Sequence, residues 1–95
     1  MKSKLLRQHR KTITELAQKH GAQSVSIFGS FARGDDDSNS DIDLLIELDP
    51  KRSLLDIISM KYAIEDLTGR KVDIVTRKGI SPYLVEQILE EAVPL

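Results

Sequence analysis

The fold is decided by residues 24–48, which read SVSIFGSFARGDDDSNSDIDLLIEL. Two apolar runs flank a central stretch of small and acidic residues. The first run, residues 24–28, alternates polar and apolar side chains, which is typical of a half-buried strand. The second run, residues 41–48, is the most strand-like part of the chain and ends at Asp49-Pro50. We therefore expect two strands joined by a short, irregular connection.

The connection itself has the composition of a ligand-binding turn. We expect a tight turn at Gly29-Ser30, one or two helical turns over residues 31–34, and a loop over residues 35–40. Glycine after a strand allows a ligand to approach the backbone closely, and free N–H groups at a helix start attract phosphate. The segment is not a Walker A loop, because Asp35 stands where that motif requires lysine.

The flanking sequence adds two long helices and a third strand. Apolar residues at three- and four-residue steps, followed by Gly21, predict a helix over residues 3–20. A second helix is predicted from the candidate N-cap Ser53 to Gly69. Residues 71–76 then predict another strand.

The C-terminal residues predict a final helix. Ser81-Pro82 has the form of an N-cap followed by proline at the first helical position. We expect its apolar stripe to enter the core and both tyrosines of the chain to pack against helices. The residues of the stripe are Leu84, Val85, Ile88, Leu89 and Ala92, and the two tyrosines are Tyr62 and Tyr83. For residues 93–95, docking on a partner stays open.

The order of elements predicts one domain over residues 1–95. We expect an α/β fold (α+β in some classifications) with a small mixed sheet of three to four strands flanked by about four helices. A chain of 95 residues buries a limited share of its surface, so it offers a shallow cleft and does not easily enclose two substrates. If the protein is an enzyme, we expect a partner to complete its site.

Composition excludes several classes of protein. The 14 Lys and Arg residues and 15 Asp and Glu residues give a net charge of −1, without the basic field of a nucleic-acid-coating protein. The absence of cysteine excludes disulfides, thiolate metal sites and a cysteine nucleophile. The sequence has neither a signal-peptide core nor a long apolar span, so we expect a soluble cytoplasmic protein without direct membrane or nucleic-acid contact.

Three aspartates are candidate metal ligands. Asp41 and Asp43 are two positions apart in a predicted strand, so both side chains leave the same face. If the strand that contains Asp73 is a neighbour, three mutually repelling carboxylates meet on one patch. A divalent cation reverses the sign of that interaction, and all-oxygen ligands select hard ions such as Mg²⁺. The spacing alone predicts a candidate metal patch and leaves a bland surface role open.

The combined pattern resembles the signature of the polymerase-beta-type nucleotidyltransferases. It consists of Gly29-Ser30, ten intervening residues and Asp41-x-Asp43. The segments GSFARG at 29–34 and SDIDLLI at 40–46 are most similar to the minimal bacterial and archaeal members, called MNT domains. The resemblance extends over nearly the whole chain and includes VDIV at 72–75. It implies the nucleotidyltransferase fold and ATP as a substrate.

The resemblance also implies roles for the aspartates. In the family, the residues that Asp41 and Asp43 match hold two Mg²⁺ ions on the nucleoside triphosphate, and Mn²⁺ is an alternative metal. Asp73 matches the third aspartate, which binds the catalytic metal and helps to deprotonate the attacking hydroxyl. The expected reaction is an in-line attack on the α-phosphorus with departure of pyrophosphate.

The remaining motif residues match the phosphate-binding side of the family site. Gly29 and Ser30 correspond to the pair that grips the phosphates. Arg33 is placed either to reach a phosphate or to form a surface ion pair with the acidic run 35–37. We expect that acidic run to be a solvated loop.

The resemblance further implies a protein partner. Minimal members are usually paired with a HEPN-domain ribonuclease toxin, and as antitoxins they transfer AMP from ATP to a tyrosine of that toxin. Three alternatives stay open from the sequence. The chain could neutralise a toxin by occlusion without catalysis, use RNA or a small hydroxyl compound as acceptor, or be a small α/β domain with an acidic surface patch.

Overall fold

The structure is a computed structural model and describes residues 3–95. This part of the chain contains four strands and four α-helices. Residues 1 and 2, which belong to the predicted domain over residues 1–95, lie outside the described part. The elements are α1 Lys4–Lys19, β1 Ala22–Phe28, α2 Ser30–Arg33, β2 Ile42–Leu48, α3 Leu54–Thr68, β3 Val72–Thr76, α4 Val85–Glu91 and β4 Val93–Pro94, with a 3-10 turn at Arg77–Gly79. The predicted small mixed sheet with about four helices is confirmed.

The sheet has the strand order β3-β2-β1-β4. Strand β1 runs antiparallel to both β2 and β4, whereas β2 and β3 are parallel. Helix α3 makes the crossover that a parallel pair requires. Strand β2 is therefore central, and it contacts β3 on one side and β1 on the other.

The two faces of the sheet have different chemistry. In β2, Ile42, Leu44 and Ile46 are buried on one face, while Asp43 and Glu47 leave the opposite face on either side of the buried Leu45. Helices α1 and α3 cover the apolar face and supply the rest of the main core. The core side chains of these helices are Leu6, Ile13, Ala17, Met60 and Ile64. The polar face of β2 is thus available for a site.

Local signals set the ends of the two long helices, and those of α3 are the ones that the sequence predicts. The hydroxyl of Ser3 accepts a hydrogen bond from the amide of Leu6 at 3.2 Å and caps α1. Ser53 and Asp56 form a capping box at the start of α3, with the Ser53 amide 3.0 Å from the Asp56 carboxylate. Gly69 ends α3 in the left-handed region, with φ +70°.

The predicted start of the last helix is wrong. Helix α4 begins at Val85, whereas Ser81-Pro82 opens a turn in which the amide of Leu84 donates to the carbonyl of Ser81 at 2.9 Å. The Ser81 hydroxyl accepts only from the nearby Tyr83 amide, at 3.4 Å. The serine therefore caps a turn, and the helix forms one turn later.

The predicted burial of the α4 stripe and of the tyrosines is also wrong. Leu84 and Leu89 are 49% and 40% exposed, and no residue of α4 is buried. Tyr62 and Tyr83 are 59% and 95% exposed. The physical reason is that α1 and α3 already fill the apolar face of the sheet, so the short α4 lies beside β1 at the margin.

The C-terminal residues complete the sheet. Strand β4 pairs with Ser26 and Ile27 of β1, and the Leu95 amide donates to the carbonyl of Val25 at 3.0 Å. Residues 93–95 thus have a structural role within the chain. Among the described helices, none combines the length and the apolar character needed to cross a bilayer.

Candidate active site

Strand register brings two of the three predicted aspartates side by side. Asp43 of β2 and Asp73 of β3 are register partners, so their side chains leave the same face of the sheet. Asp41 lies one residue before β2, and the following Ile42 amide donates to the carbonyl of Lys71 at 2.8 Å. The strands that hold the acids are therefore neighbours, as the sequence hypothesis required. The roles of these aspartates as ligands stay predictions.

Asp43 is the electrostatic centre of this group. Partial burial raises the pKa of its carboxyl group, and the charges of Asp73 and Asp41 raise it further. The guanidinium of Arg33 acts in the opposite direction, and Glu91 adds to the rise. The site thus concentrates negative charge at Asp43 that Arg33 offsets only in part.

Gly29 packs directly against Asp43. Its backbone has φ +74° and ψ −153°, a conformation that L side chains rarely adopt. A Cβ atom at this position would lie 3.2 Å from Cγ of Asp43 and even closer to its Oδ2 atom. The absence of a side chain therefore lets the turn approach the carboxylate, which places Ser30 beside it.

Helix α2 holds Ser30 in position. It is a single turn closed by the left-handed Gly34, whose amide donates to the Ser30 carbonyl at 2.9 Å. Phe31 is 1% exposed and anchors the turn in the core. The predicted phosphate-binding pair thus sits on a short but well-anchored element next to the acids.

Arg33 is engaged in two ion pairs. Its Nη1 atom lies 2.8 Å from Oε1 of Glu91 and its Nε atom lies 3.2 Å from Oδ2 of Asp35. These hydrogen bonds, the Glu91 bond first, raise the pKa of Arg33, so the side chain stays cationic. The pair with Asp35 is the surface alternative that the sequence left open.

Glu91 is a neighbour of the site that the sequence did not predict. It is 58 residues from Arg33 in the chain and arrives at the site because α4 and β4 return to β1. No motif spacing links a glutamate at the end of a C-terminal helix to the Gly-Ser turn. Only the tertiary arrangement identifies it.

Arg70 is a second residue that sequence reasoning missed. Its Nη1 atom donates to the carbonyls of Asp37 and Ser40 at 2.8 and 3.0 Å, and its guanidinium lies 5.6 Å from the centre of the Phe31 ring. Arg70 therefore connects the α3–β3 turn to α2 and to the loop that precedes Asp41. We call this set of contacts the Arg70 clamp.

The acidic loop is mostly solvated, as predicted. Asp35 and Asp37 are exposed, and Asp36 is intermediate. Within the loop, the Asp37 carboxylate accepts from the Asn39 amide at 2.8 Å, and the Ser40 hydroxyl accepts from the Asp37 amide at 2.8 Å. These contacts give the loop a defined shape without burying its charges.

The donor chemistry of the site fits a hard divalent cation. The three acids offer only carboxylate oxygens, and burial first, then the charges of Asp73 and Asp41, raise the pKa of Asp43. In residues 3–95, no trio of acidic or histidine side chains is drawn together into a ready metal site. Repulsion among like charges favours such a spread arrangement. Asp41, Asp43 and Asp73 are the residues that would hold the cation.

One cavity lies away from these acids. It has a volume of about 480 Å³ and is found at the other ends of β2 and β3, where Asp49, Arg52 and Arg77 contribute mixed charges. A smaller cavity of about 330 Å³ adjoins Asp41 and Arg70. The carboxylate cluster and the Gly-Ser turn therefore define the candidate site better than cavity volume does.

Sequence comparisons identify the family of the chain. Residues 9–95 match the nucleotidyltransferase domain family. A Methanocaldococcus jannaschii relative named as a candidate protein adenylyltransferase is 43% identical over 84 residues, which cover 88% of this chain and 90% of the relative. The protein adenylyltransferase MntA of Thermococcus cleftensis is 32% identical over 89 residues, which cover 94% of this chain and 87% of the relative.

Solved structures have the same fold. One described as a candidate minimal nucleotidyltransferase is 45% identical, with a TM-score of 0.88 over 99% of this chain and 98% of that one. Two more distant likenesses concern the fold alone. A toxin–antitoxin complex with AMP-PNP has 21% identity and a TM-score of 0.77 over 88% and 69% of the two chains. A tri-AMPylated Shewanella oneidensis HEPN toxin in complex with its MNT antitoxin has 17% identity and a TM-score of 0.72 over 93% and 69%. From its sequence match and its site, this chain belongs to the nucleotidyltransferase domain family.

Proposed function

We propose that this chain is a protein adenylyltransferase that transfers AMP from ATP to a tyrosine hydroxyl of a HEPN-domain toxin, and that it neutralises the toxin as its antitoxin. The observation that carries the proposal is the contact of Gly29 with Asp43, whose register partner is Asp73. In this proposal, the Gly-Ser turn would bind phosphate beside the carboxylates of Asp43 and Asp73. The names of relatives 43% and 32% identical to this chain support protein adenylylation.

The turn would bind the triphosphate. Gly29 leaves the Asp43 carboxylate uncovered, and Ser30 follows it at the start of α2 with its hydroxyl available as a donor. Asp41, Asp43 and Asp73 would hold two Mg²⁺ ions, for which Mn²⁺ could substitute. When bound, such ions neutralise the charge of the triphosphate and stabilise charge that develops at the α-phosphorus.

Asp73 is the residue best placed to receive a proton from an acceptor hydroxyl. It is exposed on β3, which is an edge strand of the sheet, so a partner protein can bring a tyrosine to it. The tyrosine oxygen would give its proton to Asp73 and form a bond to the α-phosphorus. The bond between that phosphorus and the bridging oxygen of the β-phosphate would break, and pyrophosphate would leave with the electron pair.

Arg33 is the cation that we assign to the triphosphate. In the described arrangement it is held by Glu91 and Asp35, so binding a phosphate requires exchange of at least one of these partners. The variant E91Q removes one competitor and one negative charge near the substrate. We expect it to lower the KM for ATP by about two- to fivefold, the range of an exposed ion pair. The neighbouring variant E90Q is the control, and an unchanged KM in both would exclude this role of Arg33.

The proposal is tested by mixing the chain, ATP and Mg²⁺ with the product of an adjacent HEPN gene and weighing that product. We expect a mass gain of one or more AMP units and loss of its ribonuclease activity. The variants D41N and D43N should abolish both effects, whereas E47Q, on the same face of β2, should retain them. Neutralisation that survives D41N and D43N without any mass gain would instead establish occlusion.

The same mixture separates other acceptors. The net charge of −1 argues against RNA, because phosphate contacts need a basic surface. Incorporation of labelled AMP into RNA or a small hydroxyl compound, with none in the HEPN protein, would overturn the proposed substrate and leave nucleotidyl transfer intact.

A further inference from the structure

The outer face of α3 exposes a continuous apolar stripe. Leu55, Ile58 and Tyr62 follow one another at steps of three and four residues and are 73%, 39% and 59% exposed, and Leu54 beside them is 69% exposed. The opposite face of the same helix is buried in the core. A helix that is apolar on both faces is normally covered on both, and exposed apolar patches of this kind mark interaction surfaces.

Charges around the stripe have a regular order. About the midpoint between Ile58 and Ser59, Lys51 and Asp66 lie equally far in sequence and have opposite charges. Asp56 and Lys61 form a second pair of opposite charges about the same midpoint, and Leu55 and Tyr62 are related in the same way. Lys51 lies in the turn before α3 and Asp66 lies within α3, so antiparallel packing of two α3 helices would bring opposite charges towards each other after a two-fold rotation.

We propose that this chain forms a two-fold symmetric dimer in which α3 packs antiparallel against α3 of a second copy. Each Leu55 would then contact Tyr62 of the second copy, and each Lys51 would face Asp66 of the second copy. The three- and four-residue spacing corresponds to a crossing angle of about 20°, which keeps the helix ends close enough for these charges to meet. Parallel packing would instead place like charges together.

The charged residues at the ends of the stripe are available for this contact. Lys51 and Asp66 are both exposed, and neither belongs to an ion pair within residues 3–95. Asp56, by comparison, already pairs with Arg52 at 3.3 Å. The specificity of the dimer therefore rests on Lys51 and Asp66.

The dimer would leave the candidate active site open. Helix α3 covers the apolar face of the sheet, whereas Asp43 and Asp73 leave the opposite face. A single pair of helices forms an interface at the low end of the size range for specific contacts, so the dimer should depend on protein concentration. The inference is independent of the proposed function.

Analytical ultracentrifugation of the whole chain over a roughly hundredfold range of concentration tests the dimer. We expect a monomer–dimer equilibrium that I58D weakens by about tenfold or more, because it buries a charge on each side of the two-fold axis. The control is L89D on α4, since Leu89 is 40% exposed and Ile58 is 39% exposed. A monomer at all concentrations, or an equal effect of I58D and L89D, would overturn the proposal. The stripe would then be a candidate binding surface for a different protein.

Disulfide trapping tests the orientation, because the chain has no native cysteine. A mixture of L55C and Y62C should form disulfides mainly between the two variants, because each residue 55 lies opposite residue 62 of the second copy. In the antiparallel pair, the two copies of residue 62 are about 10 Å apart along the helix axis, beyond the reach of a disulfide. T12C on exposed α1 is the control for random collision. A majority of same-site disulfides at position 55 or 62 would refute antiparallel packing.

Charge exchange tests the complementarity. K51E and D66K should each weaken the dimer, whereas K51E/D66K should restore it, because opposite charges again face each other across the axis. Far-ultraviolet circular dichroism checks that each variant is folded. Failure of the folded double variant to recover the wild-type equilibrium would contradict the assigned register.

Discussion

Replacing Asp43 by Asn should stabilise the metal-free protein while removing its activity. The carboxylates of Asp43 and Asp73 belong to register partners on neighbouring strands, and Asp41 adds a third charge. Asparagine has nearly the same shape as aspartate but has no charge. The variant therefore relieves repulsion without opening a cavity, and stability is gained at the expense of the site, as is common for functional residues.

The size of the effect follows from the strand spacing. Neighbouring strands lie about 4.8 Å apart, and two unit charges at that distance repel by about 1 kcal/mol in water and by about 3 kcal/mol at a dielectric constant of 20. Because Asp73 is exposed and Asp43 only partly buried, the lower figure applies. For a domain of this size, about 1 kcal/mol corresponds to an increase in Tm of roughly 4–8 °C.

The gain should depend on pH in a defined direction. Since the pKa of Asp43 is raised above its ordinary value of 3.8, ionisation of Asp43 is less favourable in the folded protein than in the unfolded chain. The destabilisation is fully present above the folded pKa and disappears below the unfolded one. The Tm difference between D43N and the wild type should therefore be largest near neutral pH and vanish as the pH falls through that window.

Thermal unfolding followed by circular dichroism, without divalent ions, measures the effect. E47Q is the matched control. Glu47 lies on the same face of β2 as Asp43, but its register partner on β1 is Ser24, which has no charge. The free energy of unfolding of E47Q should differ from that of the wild type by no more than about 0.5 kcal/mol, with a correspondingly small change in Tm. If D43N melts at or below the wild-type temperature at neutral pH, the three carboxylates do not repel one another as argued.

Two further substitutions test the elements that support the site. In urea unfolding, G29A should destabilise the fold by about 2 kcal/mol or more, because a Cβ atom would collide with Asp43 as well as strain the backbone. The control is G69A, because Gly69 has φ +70° but open space around it. This variant should cost only about 1 kcal/mol. R70A should cost about 2 kcal/mol and make the loop 35–40 sensitive to proteases, because the Arg70 clamp is lost. R77A on the exposed 3-10 turn should change stability by less than about 0.5 kcal/mol, and equal effects of R70A and R77A would refute the clamp.

The predictable parts of this protein are those that local chemistry determines. Ser53 and Gly69 bound α3 because a cap and a left-handed glycine act on the adjacent residues alone. The common face of Asp43 and Asp73 follows from strand alternation, once the two strands are neighbours. The sequence could therefore identify the fold and the shared face of Asp43 and Asp73, whereas the role of Asp41, Asp43 and Asp73 as metal ligands stays a prediction.

The parts that the sequence missed depend on packing between distant segments. Glu91 and Arg70 reach the site through the paths of α4 and of the α3–β3 turn, which no local spacing encodes. Periodicity predicts an amphipathic helix but not what covers it, so the apolar stripe of α4 lies outside the core despite the prediction. The exposure of Tyr62 has the same explanation, since α3 is apolar on both sides.

If Asp43 and Asp73 act together as proposed, the parallel pairing of β2 with β3 links activity to the last stages of folding. Asp43 and Asp73 become neighbours only after the α3 crossover has formed, and such non-local parallel pairing is intrinsically slow. A nascent chain released before this step would contain the whole Gly-Ser-Asp motif and yet lack an assembled centre. The amide of Ile42 donates to the carbonyl of Lys71 across the pair. During refolding, its protection against hydrogen exchange should therefore increase in step with the recovery of activity.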